Sequence, residues 1–319
     1  MQQNRQVAMD LQYDEPDYAP VRKSNRLPPR YLLLAAGCLA LLIATFVASV
    51  WIRPRNRFPI VMNGRFGYID HAGKVVVPAQ FRDAGHFDEG LAPVLAGKLW
   101  GYADPSGKLV IAPSFDIGDP FSEGLALVGS GGKYGYIDKD GKYVVNPLYF
   151  GAGRFSDGRA PATLGNVWGY IDRSGRFVIS PQFEEAGNFG DGLAPVRLSG
   201  RYGYIDKSGK IVIQPQFEAA GEFSDGLGLV KAGSRFGYIS RNGRYVINPR
   251  FDRAGEFSEG LAPVAFAGRY GYIDKRGKIA INPQFDQAGD FEHGLAPVWL
   301  GNRQGYIDKD GKYVWPPTG

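Results

Sequence analysis

The sequence predicts an all-β domain of eight tandem 34-residue units, each of three short strands, forming a propeller-like ring and preceded by one transmembrane helix. Three observations carry this reading. The pair Gly-Tyr recurs every 34 residues without insertion or deletion, at Gly67, Gly101, Gly135, Gly169, Gly203, Gly237, Gly271 and Gly305. A strict period of this length marks an array of one small supersecondary unit. A second glycine follows each pair six places on, from Gly73 to Gly311, and supplies the positive φ of a tight turn. Upstream, residues 31–52 form an uncharged apolar run of 22 residues.

That run is long enough to cross a hydrocarbon core of roughly 30 Å as a helix. Tyr31 and Trp51 stand at its ends, where amphipathic rings favour the interface, and Arg30 and Arg53 close it. A cleaved secretory signal has a shorter apolar core and a shorter leader. Leu34-Ala35-Ala36-Gly37-Cys38 resembles a lipoprotein cleavage box, but processing there would leave an apolar helix at the new terminus. An uncleaved single-pass anchor is the reading adopted. Residues 1–30 are polar, with the acidic patch Asp14-Glu15-Pro16-Asp17, and are expected to be a disordered tail. Residues 53–57 are a short Arg-rich tether. Arg22, Lys23, Arg26 and Arg30 flank one side of the span, against Arg53, Arg55 and Arg57 on the other. The slight positive-inside bias places the amino terminus in the cytoplasm and the array outside.

Within the unit starting at Leu193, strands are expected over residues 193–198, 201–206 and 210–215, with turns at Ser199-Gly200 and Lys207-Ser208-Gly209. The third strand is apolar at both alternating series, Val75 to Tyr313 and Val76 to Val314, so cover on both faces is expected. A linker, Phe-x-x-Ala-Gly-x-Phe-Ser-Asp/Glu-Gly, follows as a loop or short fourth strand clipping one unit to the next. Fixed unit length suits equal wedges of a ring, and the ends carry Phe58, Ile60 and Trp315 instead of polar caps. An open β-solenoid is the alternative, because 34 residues is short for a blade, commonly ~40–45.

Written out in this way, residues 58–317 resemble the bacterial WG (KWG) repeat family. The aromatic-Gly pair is Trp100-Gly101 and Trp168-Gly169; Phe66, Tyr134, Tyr202, Phe236 and Tyr270 take the aromatic place elsewhere, and Gln304 breaks it. The resemblance implies a binding or scaffolding module and brings no catalytic residues.

Composition narrows function further. Glycine supplies 45 residues, while 44% hydrophobic content argues for a packed core. Residues 1–55 hold seven basic and four acidic residues of totals 37 and 32, leaving 30 against 28 in the array. So balanced a domain lacks the clustered positive face of a nucleic-acid binder. The single cysteine, Cys38, lies in the apolar run, so neither disulfides nor cysteine zinc sites are expected in the array.

The aspartates at period 34 (Asp70, Asp104, Asp138, Asp172, Asp206, Asp274, Asp308, interrupted by Ser240) directly precede the turn glycine and read as Asx-turn residues. A second acidic series, Glu89, Glu123, Asp157, Asp191, Asp225 and Glu259, replaced by His293, offers one acid per loop, too few for calcium. His71, His86 and His293 occupy three different places in the unit and read as solvent-facing, without a metal pair or triad. No phosphate loop or nucleophile elbow is present. No enzyme activity, cofactor or metal is therefore expected.

Departures from the repeat are the candidates for binding. They are Trp299, just after an Ala-Pro-Val strand, and a basic row ahead of the aromatic-Gly pairs, Lys98, Lys133, Arg201, Arg235 and Arg269. On one rim this row could meet an anionic polymer or an acidic protein. The sequence reading is thus a single-pass protein of the bacterial inner membrane whose exported array is a protein-interaction scaffold in the envelope. The alternative is a cell-wall glycan binder, which needs Tyr68, Tyr102 and their counterparts to project into solvent.

Overall fold

The structure, a computed structural model, describes residues 56–317. The tail, the apolar run and tether residues 53–55 lie outside the described residues. Among the described residues no helix is long and apolar enough to cross a membrane.

Eight antiparallel sheets follow one another along the chain. The strands of the fifth are Glu185–Ala186, Leu193–Leu198, Arg201–Asp206 and Ile211–Phe217. Two of these keep the bounds expected from the sequence. The expectation of three strands per unit is corrected: seven sheets have four strands, and the linker supplies the additional one. Among the described residues, the first sheet alone, Phe58–Met62, Arg65–Ile69 and Val75–Phe81, has three. Each sheet is a blade, and we number them 1 to 8 from residues 58–81, 83–115, 117–149, 151–183, 185–217, 219–251, 253–285 and 287–315. The linker strand lies innermost, and the former third strand lies outermost.

That position corrects the expectation of cover on both faces of the third strand. Val110 and Val246 are each 48% exposed, and Val144, Val178 and Val212 are little less so. The buried series is one residue further on, Val77, Ile111, Val145, Ile179, Ile213, Ile247 and Ile281. The outer strand has a neighbour on one edge only, so its apolar content reflects β propensity as well as burial.

The Gly-Tyr pair is explained by close approach. The register between the second-to-outer strands slips at this pair, for example between Tyr202 and Tyr204. The outer strand crosses so near that a Cβ on Gly203 would lie 2.4 Å from the Ile213 carbonyl oxygen. The tyrosine beside it is buried, and its hydroxyl reaches the next blade. Tyr68 donates to the Gly85 carbonyl at 2.9 Å, Tyr136 to Gly153 at 2.7 Å and Tyr204 to Gly221 at 2.9 Å. The linker phenylalanine packs edge-on beneath it, with Tyr136 and Phe155 centroids 4.7 Å apart. Each such tyrosine is fully buried, a burial worth roughly 1.5–3 kcal/mol before the aromatic contact is counted.

Blade 8 meets blade 1, so the ring is closed. Phe58, Ile60 and Ile69 share a buried cluster with Leu295 and Tyr306. The Tyr306 hydroxyl donates to the Pro59 carbonyl at 2.8 Å. A Cβ on Gly73 would lie 2.5 Å from the Val314 carbonyl oxygen. The open solenoid is thereby set aside.

Substituting Gly203→Ala forces a Cβ into backbone and is expected to cost about 3 kcal/mol or to prevent folding. Gly226→Ala meets open space at φ +84° and should cost only ~1 kcal/mol. Urea unfolding of the two variants checks the ranking.

Candidate functional site

Most repeated polar residues are consumed in building the ring. The Asp206 carboxylate accepts the Ser208 and Lys210 amides at 2.9 and 3.0 Å, as an Asx turn does. The second acidic series clamps neighbouring blades. Glu89, at φ 52°, accepts the Gly124 amide at 3.0 Å and pairs with Lys139 at 3.1 Å. The pattern repeats as Glu123 with Gly158 and Arg173, Asp157 with Gly192 and Lys207, and Glu259 with Gly294 and Lys309.

The structure places the basic row on the face of the ring where the first two long strands of each blade are joined by hairpins. Its members are exposed, and several face a carboxylate seventeen residues on. Arg201 lies 3.7 Å from Glu218, Arg269 lies 2.5 Å from Asp286, and Arg235 pairs with Asp252. Lys133 stands 5.5 Å over the Phe150 ring. Lys98 is an exposed turn residue. Trp299 is half-buried in blade 8, paired with Gln287 and Gln304, and its carbonyl accepts the Asp286 amide at 2.9 Å. Trp299 thus neighbours the Arg269–Asp286 pair, whereas the other members of the row belong to separate blades.

A different set of side chains converges on the axis. One residue from each of blades 2 to 8, in or just after the inner strand, projects there: His86, Pro120, Arg154, Asn188, Glu222, Glu256 and Asp290. Contacts between blades two apart identify the axis, because only there do such blades meet. Arg154 of blade 4 donates to Glu222 of blade 6 at 2.6 Å, passing Asn188, which also donates to Glu222 at 2.6 Å. His86 of blade 2 meets Glu292 of blade 8 at 2.8 Å, spanning blade 1. His86, read from the sequence as solvent-facing, keeps 38% of its side chain exposed while making this contact. Glu256 accepts the Glu222 amide at 2.6 Å. Beside them a cavity of about 530 Å³ is lined by His86, Asp88, Asp119, Arg154, Asn188 and Glu292, among others.

Electrostatically this shaft is acidic. Asp88, Asp119, Glu222, Glu256, Asp290 and Glu292 face Arg154 and His86, with His293 near Asp88 and Glu292. Burial, then the charge of Glu222, pushes the Glu256 carboxyl up to about 7. Burial and the charge of Glu292 push Asp290 up to about 6. Burial likewise raises Asp88 and Asp119. The sequence reading missed this set, because the residues differ from blade to blade and form no motif. The signal was the variation itself, at one place of an otherwise repetitive unit. Among the described residues no group of three or more His, Cys, Asp or Glu is disposed to hold a metal ion.

The geometry defines an eight-bladed β-propeller. A family model described as a WG containing repeat matches residues 66–100, 100–134, 134–168, 168–202, 202–235, 236–269 and 270–303. The chain belongs to this WG repeat family. Comparison with curated proteins finds no match. Among solved structures, it is similar to dihydro-heme d1 dehydrogenase NirN in complex with DHE, with TM-score 0.55 and 14% identity over 82% of this chain and 72% of that one. It is also similar to a eukaryotic initiation factor, with TM-score 0.52 and 11% identity over 81% of this chain and 83% of that one. At these identities the likeness is one of fold alone.

A carboxylate whose folded pKa is raised binds more protons folded than unfolded, so its contribution to stability falls as pH rises between the two values. Glu256→Gln keeps an acceptor for the Glu222 amide. It is expected to stabilise the protein at pH 8 by about 1–2 kcal/mol, discounted for water in the shaft, and to change little near pH 5. Thermal melts of both proteins at the two pH values test this.

Proposed function

We propose that the protein is a membrane-anchored interaction scaffold whose propeller receives a lysine- or arginine-bearing segment of a protein partner at its acidic axial mouth. The observation that carries this is the shaft. There the repeat varies from blade to blade while its side chains point at a common space, and six carboxylates gather against one arginine and two histidines. A cation entering there replaces the protons that crowding leaves on Glu256 and Asp290, and the walls of the shaft focus the attraction. A rigid ring loses little ordering entropy when it binds.

The tyrosines that glycan stacking would need have no exposed surface, from Tyr68 to Tyr306. This favours the protein partner over a wall glycan held at those sites. The basic row and Trp299 lie toward the face opposite Asp88 and Glu292 and would serve a second contact there. The anchor is the apolar run at residues 31–52, and the charge bias around it favours an array on the outer side of the bacterial inner membrane, within the envelope.

Calorimetric titration of the protein with an oligolysine peptide tests the mouth. Joint replacement of Asp88, Asp119, Glu256 and Asp290 by their amides should weaken binding at least tenfold. Amide replacement of the rim acids Glu218, Asp252 and Asp286 should leave it unchanged, and the reverse ranking would refute the assignment. Deleting residues 31–52 should move the protein from the membrane to the soluble fraction, and protease added to intact spheroplasts should degrade the array.

A further inference from the structure

Seven tyrosines from Tyr68 to Tyr272 reach the carbonyl beside the inner strand of the following blade. Blade 1 has no such strand among the described residues, and Tyr306 turns to Pro59 instead. The acid–base clamp also changes here. By register, the place of Glu89 in blade 8 is held by His293, and the place of Lys139 in blade 1 is held by His71. Glu259, the last acid of the series, still pairs with Lys309 one junction earlier. The third histidine, His86, joins Glu292 across blade 1. The chain has three histidines, and all three border the closing seam.

We propose that this seam is a proton-tightened latch: His86 holds blades 2 and 8 together across blade 1 when protonated, and the junction loosens as it loses charge. The other clamps use Lys or Arg, whose charge does not change in the neutral range, whereas histidine titrates between about pH 5 and 8. The latch therefore gives the closing junction a histidine-borne pH response that the Lys- and Arg-based clamps lack.

The groups facing the latch act in one direction. Glu292 and Asp88 face His86. Burial pulls the imidazole down, but the hydrogen bond and charge of Glu292, with the charge of Asp88, outweigh it and leave His86 above its ordinary value. Glu292 faces His86, His293 and Arg154 and is held below the usual carboxylate range, chiefly by the His86 hydrogen bond. Asp88 also has His293 and Arg154 near it. His71 packs against the Phe58 ring, centroids 6.1 Å apart, and its Nε2 would lie 3.1 Å from a Cβ on Gly294. His86, with its folded pKa raised, contributes stability fully below its unfolded value and loses it as pH rises through the folded value. Glu292 contributes above the ordinary carboxylate range and loses this as pH falls through its depressed value. The latch is engaged in mild acid and released in alkali.

Hydrogen–deuterium exchange of the full-length protein in detergent reads the seam directly. Opening constants, corrected for intrinsic exchange, are compared at about pH 6 and pH 8.5 for amides of Phe58–Met62 and Arg303–Asp308, with Arg201–Asp206 as the mid-ring reference. The side chains of the pair are 38% and 48% exposed, so a two- to fivefold rise in seam opening at the higher pH is expected, about the effect of a partly exposed ion pair. The reference should not change. His86→Arg should keep the seam closed at both pH values, and Glu292→Gln should hold it at the alkaline level throughout. Seam opening independent of pH in the wild type, or a pH response equal in the mid-ring strand, would overturn the latch. Because peptide binding is not read, this outcome is separate from success or failure of the axial mouth.

Discussion

The fold rests on the close crossing of the outer strand over the glycine of each Gly-Tyr pair. With no Cβ at Gly203, the Ile213 carbonyl passes within a distance that no side chain permits. That crossing fixes the adjoining tyrosine in the core, and the tyrosine hydroxyl fixes the next blade. Tyr204 reaches a carbonyl seventeen residues on, and the acid clamp reaches an amide thirty-five residues on. Both reaches are set in residues. An insertion anywhere in the linker would move one partner of each pair and leave a buried donor or acceptor unmade, at a cost of about 1–3 kcal/mol apiece. The unbroken period follows from this coupling.

Much of this was legible in the sequence because it is repeated. The strands at Leu193–Leu198 and Arg201–Asp206 were fixed by apolar alternation between glycine turns. The Asx role of Asp206 followed from its place before Gly209. In the sequence the inner strand stays open between a loop and a short fourth strand because it is two residues long in most blades, as at Glu185–Ala186, too short to show alternation. The outer strand misled for another reason: β-branched residues at Val178 and Val212 satisfy an edge strand as well as a buried one.

The site was less legible than the fold. Glu256 and Arg154 lie 102 positions apart, and nothing in their neighbours announces a shared space. Closure of the ring brings them to one axis, so their relation exists only after all eight blades are in place. The same applies to His86 and Glu292, which meet across blade 1. Folding demands uniformity at the glycines and tyrosines and leaves the axial position open to variation. The proposed binding chemistry accordingly lies where the repeat is least regular.

Closure is the claim on which the axis, the proposed mouth and the proposed latch all depend. Its most direct test is a pair of spin-label distances, measured after replacing the one native cysteine, Cys38, with serine. Labels at Lys74 and Lys108 report neighbouring blades 1 and 2, and labels at Lys312 and Lys74 report blades 8 and 1 at equivalent positions. The ring predicts the same separation for both pairs. A much longer Lys312–Lys74 distance, as the ends of an open stack would give, would contradict it.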